Sequence, residues 1–395
     1  MILPNAAWRN DPDLVRLTEA LGEGDGLVRY VGGAVRDTLL DLPVSDLDLA
    51  TSLMPEDASA RIRAAGFKAV PTGIAHGTIT AVLANGPVEV TTLRRDVSTD
   101  GRRATVAFTD DWREDAARRD FTINALSAAP STGEIFDYFG GVADVGIGLV
   151  RFIGDPLARI AEDHLRILRF FRFHARFGRG AMDEAALSAC AARAKDLMAL
   201  SRERIAQELL KLLGVTDPTP TIAIMVDRAI LTPVLPEIDR GGVARLATLV
   251  AREGPAGGDP VRRLAALLPP DPGLADQVGA RLKLSNAQRK RLALAAEPGD
   301  PGAPRTLAYA IGLSAARDRL LLRSADAAAD LAELDHWSPP RLPLGGGDLV
   351  AMGLTAGPVV AGTLRAIERR WVDEGFPDAD RVRAIAIEEV ARALR

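Results

Sequence analysis

The period of the apolar positions changes once along this chain of 395 residues, near residue 150. Before that point, short β-branched runs alternate with helix-like segments. The stretch 26–33, GLVRYVGG, reads as a strand entering a glycine turn, and AVRDTLLD, 34–41, as the first turns of a helix. In DLDLAT, 46–51, polar and apolar residues alternate with the period of a half-buried strand. MPEDASARIRAAG, 54–66, has the Pro-Glu-Asp start and glycine end of a capped helix. GTITAVLANGPVEVTTLRRD, 77–96, predicts a hairpin turning at Asn85-Gly86. A small mixed sheet with flanking helices follows.

After about 151 the helical period takes over. DPLARIAEDHLRILRFFRFHARFG, DEAALSACAARAKDLMALS and SRERIAQELLKLLG, which begin at 155, 183 and 201, all read as helices. Proline- and glycine-rich breaks at 251–260, 268–273, 297–304 and 338–347 read as loops or linkers between helices. No fixed-period repeat is visible. The expected fold is α+β: an α/β head over 1–150, then helices at 151–215, 216–335 and 336–395.

Composition narrows the class. Apolar content of 47% and charged content of 26% are those of a globular chain. A lone Cys190 excludes a disulfide framework and fits a reducing compartment. The start, MILPNAAWRNDPDL, predicts no signal peptide. No apolar run reaches about 18 residues, so no membrane span is expected and the cytoplasm is the default. A net charge of -4 argues against a chain globally sticky to nucleic acid. Arginines nevertheless cluster at 94–95, 102–103, 118–119 and 166–179, and a local basic groove survives that balance because salt screens distant charge.

Asp46 and Asp48 stand two apart on the predicted strand, so their side chains leave one face. Taken alone they read as a solvated edge strand. Their surroundings point elsewhere. Gly32 and Gly33 end a strand and open a helix, where backbone N–H groups can approach a phosphate, and Arg36 follows one turn later. A glycine pair, an arginine and two carboxylates so close together describe a phosphate-and-metal site, and Mg²⁺ suits hard oxygen ligands shared with substrate phosphates. Further on, Asp163, Arg166, Arg169 and Arg172 recur every three residues on an apolar helix. Pairing within the helix poorly explains Arg169 and Arg172, which lie among Leu168, Phe170, Phe171 and Phe173 and need an anionic partner.

GGAVRD followed by SDLDLAT resembles the signature of class II tRNA nucleotidyltransferases, the CCA-adding enzymes, and of the related bacterial poly(A) polymerases. The likeness continues in order through GIAHGTIT, VEVTTLRRD, DGRRATVAFTDDWREDAARRDFTINAL and EDHLRILRFFRFHARF, over about residues 28–177. GIAHGTIT is closer to the tRNA enzymes. The resemblance implies a nucleotidyltransferase head (1–150), a neck that recognises the base (151–215), a body (216–335) and a tRNA-binding tail (336–395). It implies that Asp46 and Asp48 hold the catalytic Mg²⁺, and that Gly32, Gly33, Arg36 and Arg119 serve the incoming nucleotide. Asp163 and Arg166 would read its base, with Glu162 as support, while Arg169 and Arg172 meet its phosphates.

The implied activity is template-independent addition of C, C and A to the 3′ end of tRNA from CTP and ATP, releasing pyrophosphate. The alternatives are a poly(A) polymerase, an A-adding specialist, and a non-catalytic RNA-binding protein; retention of both aspartates and the arginine row speaks against the last. Glu89 is a candidate third carboxylate, with an exposed strand glutamate as the equal alternative. The polar segment 95–115 resembles the family's flexible element for the switch from C to A addition, or is an ordinary long surface loop. Arg281, Lys283, Arg289, Lys290 and Arg291 form the densest late basic cluster, read equally as RNA contact or solvated helix face. His76 has no histidine neighbour at ligand spacing and is expected to be packed or strand-end, and Cys190 to be core.

Overall fold

The short β-branched runs become strands: β1 (Val28–Val31), β2 (Asp48–Thr51), β3 (Lys68–Gly73), β4 (Thr78–Leu83), β5 (Gly86–Thr92), β6 (Arg94–Thr99), β7 (Ala104–Phe108), β8 (Ser127–Ala128) and β9 (Ile135–Phe136). In this computed structural model, which describes residues 1–99, 104–254 and 258–395, they form a seven-stranded mixed sheet ordered β3-β4-β5-β2-β1-β8-β9 and a separate β6–β7 ribbon. The chain divides into two units, Met1–Pro236 and Glu237–Arg395. The sheet lies in the first, while among the described residues the second is built of helices.

Register does the positioning. The hairpin turns where expected, with Leu83 opposite Gly86. β1 and β2 are antiparallel with Tyr30 opposite Leu49, so the glycine turn that ends β1 lies beside the aspartates that begin β2. β5 runs parallel to β2, and Asp48 pairs in register with Glu89. β8 adds to the other edge of β1, with Val31 opposite Ser127, which carries the preceding RRDFTIN stretch to the same end of the sheet.

Two expected elements are shorter than their apolar periods suggest. β2 starts at Asp48, so Asp46 lies before the strand and not on it. Aspartate is a poor ladder residue, and here Ser45 Oγ donates to the Asp46 carboxylate at 3.2 Å. The long helix predicted over 155–178 is two helices, Pro156–Glu162 and Arg166–Phe177. Asp163 stands extended at the break, with φ −151° and ψ 107°, and its Oδ1 accepts from the Leu165 N–H at 3.1 Å. An aspartate that can bond nearby backbone favours such junctions over a helix interior. The row of three therefore holds for Arg166, Arg169 and Arg172, and Asp163 lies off it.

The helix Arg166–Phe177, called the arginine helix below, buries Ile167, Phe170 and Phe171 completely. Phe121 packs against Phe152 and Phe173 with ring centroids 4.9 and 5.3 Å apart, so the aromatic face is anchored and the arginines are left on the other side. Burying such rings supplies about 1.5–3 kcal/mol each, well above what a helix-surface ion pair gives. In the second unit the last two helices, Pro358–Asp373 and Ala379–Ala393, enclose their own core of Ile367, Trp371 and Ile385. Cys190 is buried in the helix Glu184–Ala192, as expected.

Candidate active site

The strand ends, the RRDFTIN stretch and the arginine helix line one cleft of about 550 Å³. Every residue expected at the site reaches it: Gly32, Gly33, Arg36, Asp46, Asp48, Arg119, Asp163, Arg166, Arg169 and Arg172. Asp37, Arg118, Asp120, Asn124 and Arg176 line it as well.

At the strand end, like charges gather. Asp48 opens onto the cleft, and the walls around it together with Glu89 and Asp46 raise its carboxyl above the ordinary range, while Arg119 opposes that shift. Glu89 belongs here through its register with Asp48. Among the described residues no three His, Cys, Asp or Glu side chains form a ready-made metal cage. Hard oxygen donors without a protein cation bonded to them fit a hard divalent cation that draws its remaining ligands from water and substrate phosphate.

The glycine turn is shaped by a close neighbour. Gly32 has φ +63°, and a Cβ there would stand 3.0 Å from Arg119 Nη1. Only glycine combines that backbone with that approach. Arg119 is loosely tied, donating to Asp115 Oδ2 at 3.2 Å and to the Asn124 carbonyl at 3.5 Å. Its guanidinium is therefore free to turn to an anion.

Arg36 behaves differently from its expected role as an open phosphate ligand. It is buried, pairs with Asp37 at 2.7 Å, donates to Asn124 Oδ1, and lies over the Phe177 ring at 4.1 Å. Burial lowers its pKa, and Asp37 pulls it back up. With its charge answered inside the fold, Arg36 braces the turn against the arginine helix.

The anionic partners required by Arg169 and Arg172 are protein carboxylates. Arg169 Nη2 lies 2.6 Å from Asp120 Oδ2, and Arg172 Nε donates to Glu208 Oε2 at 2.6 Å. Burial pushes the Asp120 carboxyl up, but Arg169, Asn124 and the Phe121 N–H outweigh it and hold Asp120 below its ordinary value. Both guanidiniums keep N–H groups for the cleft, but their net charge is largely spent.

Asp163 and Arg166 are oriented by separate partners and not by each other's side chains. Arg204 Nη2 donates to Asp163 Oδ2 at 2.8 Å. Arg166 donates to Glu162, to the Arg159 carbonyl at 3.0 Å and to the Arg118 carbonyl at 3.0 Å. This leaves Arg166 its Nε–H and one Nη2–H, and leaves each Asp163 oxygen a lone pair. A carboxylate acceptor beside a guanidinium donor is what a base edge can read. Glu162 supports Arg166, as expected. Arg204, Glu208, Asn124 and Asp115 went unnoticed in the sequence, where each looks like an ordinary helix or loop residue.

Segment 95–115 contributes β6, β7 and the helix Trp112–Ala117, and its residues 100–103, Arg102 and Arg103 among them, lie outside the described residues. Of the late basic cluster, Arg281, Arg289 and Arg291 are engaged by Glu237, Asp276 and Asp259 at 2.6, 2.8 and 2.8 Å. His76 ends a short turn before β4 and is exposed.

The chain is similar to known proteins along most of its length. The Poly A polymerase head domain matches residues 28–151, and the probable RNA and SrmB-binding site of polymerase A matches residues 181–241. The mitochondrial CCA tRNA nucleotidyltransferase 1 of Mus musculus is 35% identical over 383 residues, spanning 92% of this chain and 87% of that protein. The CCA-adding enzyme of Staphylococcus saprophyticus is 40% identical over 185 residues, 46% of this chain and 45% of that protein. The CCA-adding enzyme of Bacillus stearothermophilus in complex with CTP superposes with a TM-score of 0.76 at 26% identity, over 97% of this chain and 99% of that one.

Proposed function

The chain belongs to the CCA tRNA nucleotidyltransferase family, and on that premise we propose that the cleft adds C, C and A to the 3′ end of tRNA from CTP and ATP. The observation that carries the reading is that the carboxylate end and the base-reading end line one cleft. A tRNA 3′-hydroxyl attacks the α-phosphorus in line, the new P–O bond forms as the old one breaks, and pyrophosphate leaves. Asp46 and Asp48 would hold Mg²⁺, which when bound would lower the pKa of that hydroxyl and neutralise charge on the triphosphate. Arg119 turns to the phosphates, and the Gly32–Gly33 turn gives them backbone room.

Asp163 accepts from the exocyclic amino group of the base and Arg166 donates to its ring acceptor. Cytosine and adenine both present that pair, whereas uracil and guanine place a carbonyl where the amino group belongs. Arg169 and Arg172, already neutralised, serve as oriented N–H donors that hold the phosphates and the helix face together. Arg36 and Asn124 brace the two ends. In this division of labour 1–150 is the catalytic head, 151–215 the neck, 216–335 the body and 336–395 the tRNA-binding tail. Among the described residues no helix is long and apolar enough to cross a membrane. With one cysteine, buried, we place the enzyme in the cytoplasm.

The test is transfer onto tRNA transcripts ending before the CCA, after one C, and after two, with CTP and ATP offered separately and together. Two cytidines and then one adenosine, with no further growth, is the expected outcome. A long adenosine tail on unrelated RNA would make the chain a poly(A) polymerase, and A addition without C a specialist. No transfer by folded protein would leave an RNA-binding protein.

A further inference from the structure

A tyrosine hydroxyl that a fold buries normally finds a hydrogen-bond partner. The chain has three tyrosines. The Tyr309 hydroxyl donates to Glu368 Oε1 at 2.6 Å, and the Tyr138 hydroxyl accepts from Arg29 Nη1 at 3.2 Å. Tyr30 is the most buried of the three, at 1% exposure, yet its hydroxyl has no hydrogen bond among the described residues. Such a group calls for an explanation. Tyr30 pairs with Leu49, so it leaves the sheet on the face away from Asp48, where it lines a cavity of about 490 Å³. None of the residues around this cavity borders the catalytic cleft.

The cavity carries both signs of charge. Arg9 lines it, held by the Leu3 and Pro130 carbonyls at 3.1 and 3.3 Å. Gly133, with φ +72°, lets the guanidinium come close, since a Cβ there would stand 2.9 Å from Arg9 Nη2. Glu23 lines the same cavity, and its carboxylate accepts no hydrogen bond among the described residues. Arg9 and Glu23 do not pair with each other, yet both act on Tyr30. Burial pushes that hydroxyl up to about 12, with Arg9 opposing the rise and Glu23 adding to it. Ile2 and Val15 also line the cavity, and they are large apolar side chains left 69% and 36% exposed.

We propose that this cavity binds a free α-amino acid with an apolar side chain. The ligand carboxylate meets Arg9 and accepts from the Tyr30 hydroxyl, the ammonium meets Glu23, and the side chain covers Ile2 and Val15. A simple anion would leave Glu23 unanswered, a simple amine would leave Arg9 unanswered, and an uncharged apolar molecule would leave both. A volume of this size is ordinary for a small-molecule site. The inference goes beyond the tRNA reading and stands apart from it, because the two sites share no residue.

The test titrates L-leucine, L-methionine and L-phenylalanine into the full chain by calorimetry. At least one should bind saturably, one to one. For the best of them, the carboxamide and the N-acetyl derivative, which lose the carboxylate and the ammonium in turn, should each bind about tenfold or more weakly. Tyr30→Phe should weaken the amino acid about tenfold while the melting temperature holds or rises, since the hydroxyl it removes has no partner in the fold. Glu23→Gln should weaken the amino acid and leave the N-acetyl derivative unchanged, because that derivative has no ammonium to lose. Absence of saturable binding by all three up to about 10 mM would overturn the proposal and leave Tyr30 facing water in the cavity. Binding that Tyr30→Phe and Glu23→Gln leave untouched would overturn it too, since the amino acid would then sit elsewhere. A loss in Tyr30→Phe matched by a fall in melting temperature, with Glu23→Gln unchanged, would mark a packing role and overturn it likewise.

Discussion

At the strand end of the cleft, Asp46, Asp48 and Glu89 crowd together, and burial and like charge leave the Asp48 carboxyl raised. On the arginine helix, a few residues away in space, each cation already has a carboxylate: Arg166 has Glu162, Arg169 has Asp120, Arg172 has Glu208. The first region stores repulsion and the second has discharged it. Repulsion kept in a folded protein is tolerable when a cation relieves it on binding, and that is how a reaction centre stays poised. Recognition asks for the opposite. On the proposed reading Asp163 and Arg166 hold their angles before a base arrives, and in the fold they are tied to Arg204, Glu162 and two carbonyls.

The sharpest way to break the contrast is at Asp48. Asp48→Ala should cut nucleotide transfer by on the order of a thousandfold or more, about 4 kcal/mol of barrier. Because it removes one of three like charges, thermal unfolding should show a melting temperature that holds or rises. A collapse in stability with activity lost only in proportion would mean the strand end is structural.

The second largest effect belongs to the discharged end. Asp120→Asn leaves half-buried Arg169 with only the more distant Glu208, 3.9 Å away, and should cost about 3 kcal/mol in urea unfolding near neutral pH. The sign in acid follows from the depressed carboxyl. A folded pKa below the unfolded value of about 3.9 contributes stability that is full above that value and lost as pH falls through the folded one. The gap between wild type and variant should therefore be flat from neutral pH down to about 5 and close below it. A gap that widened in acid would contradict the pairing with Arg169.

Which parts of this contrast were legible in the sequence follows from range. GGAVRD, SDLDLAT and EDHLR are local arrangements, and Gly32, Gly33, Arg36, Asp46, Asp48, Asp163 and Arg166 from them do line the cleft. Local period also misled: the apolar spacing runs through Asp163 without pause, and only an aspartate bonding to the Leu165 N–H betrays the break. The partners were illegible for a different reason. Arg204 is 41 residues from Asp163, and Glu208 is 36 from Arg172, so nothing in either neighbourhood marks them as complementary. Arg36 shows the same limit from the other side. Its position was visible, but the burial that turns it from ligand to brace depends on Asp37, Asn124 and Phe177 meeting around it.

A smaller effect tests whether orientation, and not charge, is what the recognition end supplies. Asp163→Ala should lower discrimination of CTP over UTP about tenfold to a hundredfold, some 1–3 kcal/mol, measured as the ratio of kcat/KM values. Arg204→Ala, which keeps Asp163 but frees it, should fall between wild type and Asp163→Ala. If Arg204→Ala kept full selectivity, the Asp163 carboxylate would not need holding, and the idea of a locked recognition end would fail.

The smallest expected effect separates two meanings of Glu89. It stands in register with Asp48 across parallel strands, near enough to raise the carboxyl of that residue. If Glu89 only adds to the negative field, Glu89→Gln weakens the attraction for the cation without removing a ligand. The Mg²⁺ concentration for half-maximal transfer should then rise a few fold, worth less than about 1 kcal/mol, while kcat at saturating Mg²⁺ is kept. A direct ligand behaves otherwise: its loss should depress kcat by orders of magnitude even when Mg²⁺ is saturating, as for Asp48→Ala. That result would move Glu89 from the field of the reaction centre into its coordination shell, and would make the stored repulsion at the strand end the work of three ligands instead of two ligands and a neighbour.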